Sequence, residues 1–222
     1  MTVFSERADL SCGGIPMSAT RRTHWQQVYG EKAPTEVSWY QPVPEKSLRL
    51  ILGTGVARTE PVLDVGCGAS TLVDHLHAGG YTDITVMDIS ARALERSRAR
   101  LGESADAMKW IESVVTAFEP QRRYALWHDR AVFHFLTDAS DRDKYVGVVE
   151  RALKPGGYFV LATFGPDGPE RCSGLEIQRY GIGQLQELFG ARFKLGGYEL
   201  EQHVTPMGST QQFLYSWWQA RT

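Results

Sequence analysis

The chain has 222 residues, of which 42% are hydrophobic, and a formal net charge of −2 at pH 7. This length and composition can support one full hydrophobic core, so a single α/β domain is the simplest organisation. Because 24 basic side chains are balanced by 26 acidic ones without long runs of one sign, the composition argues against a nucleic-acid partner.

The cysteines and the apolar runs indicate the cellular compartment in which we expect the protein. Cys12, Cys67 and Cys172 are odd in number and widely spaced, which is typical of free thiols in a reducing compartment and does not match zinc-ligand spacing. No apolar run approaches the length of a membrane span, and the N-terminus lacks the pattern of a signal peptide. We therefore expect a cytoplasmic protein without a metal or a membrane partner.

The first part of the chain precedes any strand-like run. Residues 1–20 contain glycines and a proline with little periodicity, and we interpret them as a flexible N-terminal arm before a single domain over residues 21–222. Apolar spacing predicts a helix over residues 22–29, and a second helix is expected over residues 45–52, directly after Pro44.

From residue 62 onwards, short β-branched runs alternate with helical patterns. Such alternation predicts a mostly parallel sheet with helices on both faces. A turn over residues 154–157 is expected to stop the longest helix. The predicted strands are 62–66, 84–87, 108–112, 124–128 and 158–163, and the predicted helices are 71–78, 91–101 and 140–153.

The pattern changes after the fifth predicted strand. A loop rich in glycine and proline (residues 165–174) leads to a short predicted helix near residues 183–189. Two extended runs follow, residues 193–205 and 211–218, with a turn between them. These two runs predict an antiparallel hairpin at the C-terminus.

The run Val-Leu-Asp-Val-Gly-Cys-Gly over residues 62–68 is the most informative motif. It places glycines in the turn between an apolar strand and a helix, where side chains would collide with a ligand. Asp88 comes 20 residues after Gly68, at the end of the second predicted strand, where a carboxylate can accept two hydrogen bonds from a ribose diol. The motif by itself fits a pocket for NAD, FAD or S-adenosylmethionine.

Two details favour S-adenosylmethionine over a dinucleotide. Dinucleotide sites require a third glycine, whereas this sequence has Thr71 at that position, after Ser70 as a plausible helix cap. In addition, Asp64 beside the turn suits an ammonium group better than a pyrophosphate.

The Asp-Val-Gly-Cys-Gly run, followed by the acidic end of the second strand, resembles the class I S-adenosylmethionine-dependent methyltransferases. The resemblance implies an α/β, Rossmann-like sheet of seven mostly parallel strands, with helices on both faces and a C-terminal antiparallel hairpin. It also implies S-adenosyl-L-methionine as the cofactor. The residues expected to bind that cofactor are Trp25, Tyr29, Trp39, Asp64, Gly66, Gly68, Ser70, Asp88, Ile89, Ser113, Val114 and His128.

The third loop at the carboxyl edge of the predicted sheet departs from the family pattern. Family members commonly place an acidic residue there to accept a hydrogen bond from the adenine amine. Val114 stands at that position here, so we expect Ser113 or backbone groups to take over the contact.

The loop after the fourth strand carries the candidate catalytic residues. Asp129, Arg130 and His134 cluster where the fold directs a strand end into the active site, and His134 is a candidate base or orienting group. The alternatives are a structural ion pair between Asp129 and Arg130, and a buried core histidine at position 134.

The cluster Val37-Ser38-Trp39-Tyr40 resembles a segment in the subgroup that includes lysine methyltransferases of elongation factor 1A. This likeness covers roughly residues 22–163. After the fourth strand those proteins carry a sequence like Asp-Lys-Gly-Thr-Leu-Asp, whereas this chain has Asp-Arg-Ala-Val-Phe-His over residues 129–134. The departure weakens the expectation of a protein-lysine substrate.

The substrate side is expected to involve Tyr40, Cys172 and Arg179, the last two in a loop that would roof the acceptor pocket. A packing role is the alternative for Cys172. The function that follows is methyl transfer to a small-molecule acceptor, with a thiol or sulfide ranked first because such acceptors need little help from a base. The alternatives are a protein lysine N-methyltransferase, a non-catalytic cofactor-binding module and an oxidoreductase that uses NAD.

Overall fold

The computed structural model describes residues 17–222, with side chains from residue 20 onwards. The strands are β1 (Val62–Val65), β2 (Ile84–Asp88), β3 (Lys109–Glu112), β4 (Tyr124–Arg130), β5 (Leu153–Phe164), β6 (Arg171–Cys172), β7 (Leu175–Glu176), β8 (Phe193–Val204) and β9 (Thr210–Ala220). The α-helices are α1 (Met17–Glu31), α2 (Glu45–Gly53), α3 (Leu72–Ala78), α4 (Ala91–Leu101), α5 (Ala139–Ala152) and α6 (Ile182–Phe189).

Seven strands form one sheet in the order β3-β2-β1-β4-β5-β9-β8. The pairs from β3 through β5 are parallel, and β9 runs antiparallel to both of its neighbours. The chain order reverses between β1 and β4, which is the place where open parallel sheets bind ligands, beyond the carboxyl ends of their strands. The predicted fold class is confirmed.

The helices cover both faces of the sheet because the strands are apolar on both sides. On one face, Trp127 and Phe159 of the sheet pack with Tyr145 of α5 and Phe189 of α6. On the other face, Val62, Val86 and Leu126 pack with Ile51 of α2 and with apolar residues of α3 and α4. Burial on both faces explains why β1 and β2 are fully buried and nearly continuously apolar.

The N-terminal boundary differs from the predicted one. Helix α1 begins at Met17, so residues 17–20 are helical and do not belong to an arm. The rest of the predicted arm, residues 1–16, lies outside the described residues. The helix after the glycine turn begins at Leu72, and the Ser70 hydroxyl accepts a hydrogen bond from the Leu72 amide.

The loop after β5 contains a small hairpin that the sequence interpretation missed. Strands β6 and β7 pair antiparallel across Ser173 and Gly174, which both have positive φ angles, 49° and 79°. This geometry is that of a tight two-residue hairpin turn, and a Ser-Gly dipeptide is a signal for such a turn.

Between residues 17 and 222, every helix is too short or too polar to cross a membrane. The same part of the chain holds no group of three or more His, Cys, Asp or Glu side chains placed to bind a metal ion.

Candidate active site

The turn after β1 brings backbone amides close to the end of β2. Gly66 has a φ of +68° and donates its amide hydrogen to the Met87 carbonyl over 2.7 Å. A Cβ atom at Gly66 would collide with the side chain of Val132, and one at Gly68 would collide with the hydroxyl of Tyr29. Glycine is therefore required at both positions by conformation and by space.

Asp88 fixes the same turn from β2. Its carboxylate accepts hydrogen bonds from the amides of Gly68 and Ser90, both at 2.8 Å. Only 5% of the residue is exposed, and this burial raises the pKa of Asp88 to about 6. Each carboxylate oxygen keeps a lone pair for a further donor, so the group remains able to accept hydrogen bonds from a ligand.

Asp64 of β1 belongs to a buried chain of three polar side chains. Its Oδ1 lies 2.7 Å from Nδ1 of His128, and Nε2 of His128 lies 2.9 Å from the hydroxyl of Ser47 on α2. Because a carboxylate only accepts, Nδ1 carries the proton that points to Asp64, and the Ser47 hydroxyl can pair with Nε2 as donor or acceptor. The second oxygen, Oδ2 of Asp64, is buried and has no hydrogen-bond partner among the described residues.

Two cavities open at this edge of the sheet and share Trp39, Val65, Gly66 and Arg130 in their walls. The larger cavity has a volume of about 800 Å³, which includes space open to solvent. Its lining is mostly apolar and aromatic. Among the residues that line it are Arg21, Trp25, Tyr29, Trp39, Asp88, Ile89, Ser113, Val114, Arg130, Val132, Phe135 and Cys172.

The smaller cavity has a volume of about 400 Å³ and is more polar. It lies over the end of β1, so the hydrogen-bonded side chains of Asp64 and His128 form part of its wall. The residues that line it are Trp39, Tyr40, Gln41, Pro44, Asp64, Val65, Gly66, Cys67, Ser70, His128 and Arg130.

The aromatic segment between α1 and α2 is held in place over both cavities. The Ser38 carbonyl lies 2.7 Å from Nε2 of His203 on β8, and the Trp39 carbonyl accepts a hydrogen bond from Arg130 over 2.8 Å. Trp25 meets Trp39 and Phe135 edge to face, with ring centroids 5.6 and 5.2 Å apart. These contacts close the site with a fixed aromatic wall.

Comparisons with known proteins find similarity to methyltransferases of several kinds. Residues 62–157 match the profile of the family described as "Methyltransferase domain". A mouse eEF1A lysine and N-terminal methyltransferase is 27% identical over 147 residues, which cover 63% of this chain and 21% of that protein. A ubiquinone biosynthesis O-methyltransferase from Pectobacterium carotovorum is 29% identical over 150 residues, covering 65% of this chain and 56% of that protein.

The fold comparison includes the N-methyltransferase NodS from Bradyrhizobium japonicum in complex with S-adenosyl-L-homocysteine, with a TM-score of 0.69 and 15% identity. The match covers 90% of this chain and all of that one. The domain match over residues 62–157, the relatives and the shared fold together support a class I S-adenosylmethionine-dependent methyltransferase. The chain spans about a fifth of the length of the mouse relative, 21%.

The donor set of the two cavities fits the cofactor of this methyltransferase family. The unpartnered Oδ2 of Asp64 would accept hydrogen bonds from an ammonium group in the smaller cavity. The carboxylate of Asp88 would accept from ribose hydroxyls, and Ile89 and Val114 offer an apolar surface for a flat ring in the larger cavity. Ser113 lines that cavity too, and its hydroxyl lies 3.3 Å from the Val114 carbonyl.

The structure does not bring Asp129 into either cavity. Asp129 is fully buried on the opposite face of β4, where its carboxylate accepts hydrogen bonds from the Tyr145 hydroxyl at 2.5 Å and from the Val132 amide at 3.0 Å. Burial raises its pKa to about 6. Its role in these contacts is to tie the loop after β4 to α5.

His134 is also buried away from the cavities, so the geometry does not support its assignment as a base. Its Nδ1 accepts a hydrogen bond from the Phe164 amide at 3.2 Å, and its ring stacks on the Phe164 ring at 4.5 Å. Complete burial, with a smaller contribution from the charge of Arg130, lowers the pKa of His134 to about 3. A neutral core histidine, the alternative interpretation, agrees with these contacts.

The three predicted substrate residues lie in different places in the structure. Tyr40 lines the smaller cavity and Cys172 lines the larger one, where burial raises the pKa of its thiol to about 12. Arg179 does not line either cavity, because its guanidinium is used by the Gly168 carbonyl and the Glu170 carboxylate on the outer side of the loop. Its assignment to the acceptor pocket is therefore corrected.

Several residues at the site were missed by the sequence interpretation. Ser47 supports His128 from α2, Val132 packs against Gly66, and Phe135 and Arg21 line the larger cavity. Ser47 and Arg21 carry no motif of their own. The apolar pair at positions 132 and 135 follows the strand end at which the fold places its ligand, and that position was a usable signal.

Proposed function

We propose that this methyltransferase transfers a methyl group to a small-molecule acceptor, with a thiol or sulfide as the first-ranked acceptor class. The observation that carries the proposal is the lining of the larger cavity, which offers an apolar binding site without a suitable base. Within residues 20–222, its ionisable lining side chains are Arg21, Tyr29, Asp88, Arg130 and Cys172.

None of these five groups is suited to take a proton from a weakly acidic acceptor. Burial raises the pKa of the Tyr29 phenol and of the Cys172 thiol, so both stay protonated near neutral pH. Asp88 accepts from two backbone amides and its remaining lone pairs are assigned to the ribose of the cofactor, and both arginines are cations. An acceptor that reacts without proton removal, or whose pKa is low, suits such a cavity, and sulfides and thiols meet that condition.

The residues of the site then act by positioning and by excluding water. When bound, S-adenosylmethionine supplies an electrophilic methyl group on a positively charged sulfur. Asp64 and Asp88 would hold the polar groups of the cofactor, and the aromatic rings of Trp25, Trp39 and Phe135 would exclude water and favour a positive charge nearby. A sulfide becomes a sulfonium without losing a proton, and a thiol reacts as the thiolate after its proton has gone to solvent, so neither acceptor requires an acid or a base from the protein.

Protein lysine N-methylation is the second candidate, supported by the similarity to the mouse eEF1A lysine and N-terminal methyltransferase. Incubation with methyl-labelled S-adenosylmethionine separates the candidates. Benzenethiol and thioanisole are supplied in one arm, and a cell lysate in the other. We expect label on the small molecules, whereas a labelled polypeptide band without labelled small molecules would favour the protein substrate.

Two controls make the assay interpretable. Asp88→Ala should lose labelling in both arms, and Arg123→Gln, an exposed arginine outside both cavities, should retain it. Calorimetric titration with S-adenosylhomocysteine and with NAD tests the remaining classes. Binding of S-adenosylhomocysteine without any labelled product would indicate a non-catalytic module, and preferential binding of NAD would indicate an oxidoreductase.

A further inference from the structure

Arg130 is held rigidly at the end of β4, in the walls of both cavities. Its Nε donates a hydrogen bond to the Tyr215 hydroxyl over 2.9 Å, and its Nη1 donates to the Trp39 carbonyl over 2.8 Å. The guanidinium also lies over the ring of Phe213, with 4.6 Å between its central carbon and the ring centroid. These contacts fix the direction of the remaining nitrogen.

That remaining nitrogen, Nη2, is buried and has no hydrogen-bond partner among residues 20–222. No carboxylate in this part of the chain forms an ion pair with Arg130. A partly buried cation without an ion-paired carboxylate is costly, and so is a buried N–H group without an acceptor. The site is therefore short of one anionic hydrogen-bond acceptor.

The other charges that line the larger cavity do not supply this acceptor. Arg21 lies 3.8 Å from Asp141, and the Asp88 carboxylate accepts from the backbone around Gly68. The remaining lining groups are neutral and mostly apolar. One free nitrogen with a rigid guanidinium suits a single carboxylate, whereas phosphate groups usually recruit several donors.

The contacts of Arg130 also indicate which ligand carries the carboxylate. Tyr215 and Phe213 lie on β9, on the far side of β5, so the guanidinium leans away from β1 and β2. Gly66 and Asp88, which fit the cofactor, lie at the ends of β1 and β2. Phe213 and Tyr215 belong to the same apolar cluster as Phe135 and Cys172, which line the larger cavity, so we assign Arg130 to the acceptor end of that cavity. Because Arg130 also lines the smaller cavity, the carboxylate of the cofactor is the other source to be tested.

We propose that Arg130 binds a carboxylate on the methyl acceptor, so that the acceptor class is an apolar or aromatic thiol or sulfide that carries a carboxylate. This proposal rests on the proposed function for the reaction itself. The carboxylate neutralises the partly buried guanidinium and orients the acceptor, and the aromatic lining binds its apolar part. The cofactor also has a carboxylate, so the test separates these two sources.

The first experiment measures binding of benzoate and acetate to the full chain saturated with S-adenosylhomocysteine, by calorimetry and by tryptophan fluorescence. Benzamide is the neutral control for benzoate. We expect both carboxylates to bind, and Arg130→Gln to weaken benzoate binding by at least about tenfold while benzamide binding is unchanged. Arg130→Lys should retain part of the affinity, and Arg123→Gln should behave like the parent.

The second experiment compares S-adenosylhomocysteine with methylthioadenosine, which lacks the amino-acid part. We expect Arg130→Gln to change the affinity for each by less than about threefold. A selective loss of S-adenosylhomocysteine binding would assign the carboxylate to the cofactor and overturn the proposal. Carboxylate binding that is absent in the parent, or unaffected in a folded Arg130→Gln variant, would overturn it as well.

These binding measurements do not depend on methyl transfer. If Arg130 binds benzoate but no thiol or sulfide is methylated, the proposed function fails and the carboxylate site stands. If thiols are methylated without any effect of Arg130 on carboxylate binding, the proposed function stands and the carboxylate site fails. Circular dichroism of each variant establishes that it is folded before either conclusion is drawn.

Discussion

Asp64 lies next to the last residue of β1 and Asp88 is the last residue of β2, and both are buried, yet their surroundings differ. Asp88 already accepts two backbone hydrogen bonds, whereas Asp64 is oriented by His128 and leaves one oxygen without a partner. The two carboxylates also line different cavities, Asp88 the larger and Asp64 the smaller. These differences predict that they recognise different parts of one ligand.

Two substitutions and two ligands test this division of roles. Asp88→Ala should weaken binding of S-adenosylhomocysteine and of methylthioadenosine alike, by about 1.5–3 kcal/mol, the range for a hydrogen bond to a charged group. Asp64→Asn should weaken S-adenosylhomocysteine binding by a similar amount and leave methylthioadenosine unaffected, because methylthioadenosine has no ammonium group. Calorimetric titration measures all four affinities.

Asp88→Asn is the control for the backbone contacts of Asp88, since its amide oxygen still accepts from one backbone amide. If Asp64→Asn weakened both ligands equally, the smaller cavity would not be an ammonium site. If a folded Asp88→Ala variant bound both ligands like the parent, the ribose assignment would be wrong.

At the level of single elements, the turn between β1 and α3 is the part most constrained by its neighbours. Gly66 requires a positive φ and also faces Val132, whose side chain occupies the space of any Cβ. These two constraints are separable, because a smaller residue at position 132 relieves the collision and leaves the backbone strain.

Gly66→Ala is therefore expected to destabilise the fold and to weaken cofactor binding, and Val132→Ala should restore part of the loss. The strain of a positive φ at a non-glycine residue, about 1–2 kcal/mol, should remain in the double variant. Chemical denaturation of the parent, both single variants and the double variant gives the coupling free energy. Simple additivity of the two single effects would mean that the contact with Val132 is unimportant.

The elements that the sequence predicted well are those whose signals are local. Glycines in a turn, β-branched runs and helical spacing located β1, β2 and α4 within one residue of their observed ends. The start of β5 was harder, because a helix was expected to run to Leu153 and a turn to follow over residues 154–157, whereas all of these residues from Leu153 onwards join the strand with an irregular pairing to β4. That pairing depends on a partner strand far away in sequence.

The candidate site was predictable only where strand geometry decides it. Residues 128 and 130 share a face of β4 because side chains alternate along a strand, so Asp129 had to face the opposite side. The burial of His134 depends on its contact with Phe164, which is 30 residues away in the sequence. The residues next to His134 therefore do not predict its burial. The unpartnered nitrogen of Arg130 likewise could not be predicted from the sequence, because it depends on the position of β9 beside β5.

For the whole molecule, the buried ionisable groups predict opposing effects of pH on stability. Asp88 and Asp129 have folded-state pKa values raised to about 6, so their contribution favours folding at low pH and is lost as the pH rises from about 4 to 6. His134 acts in the other direction. Its pKa is lowered from 6.5 to about 3 in the folded state. Between these two pH values the unfolded chain binds a proton at this position and the folded chain does not, so the stability of the fold decreases as the pH falls below 6.5.

His134→Asn isolates the histidine contribution, since the amide oxygen can still accept from the Phe164 backbone but does not titrate. At pH 7.5 the variant should be less stable than the parent because the ring stacking on Phe164 is lost. Below pH 6.5 the difference should shrink by up to about 1.4 kcal/mol per pH unit, because only the parent must exclude a proton from the buried ring. Urea denaturation of both proteins at intervals from pH 7.5 to 4.5 measures the difference, from which the aspartate contributions cancel. Parallel curves would show that position 134 does not titrate differently on unfolding, and that the buried ring is not held neutral by the fold.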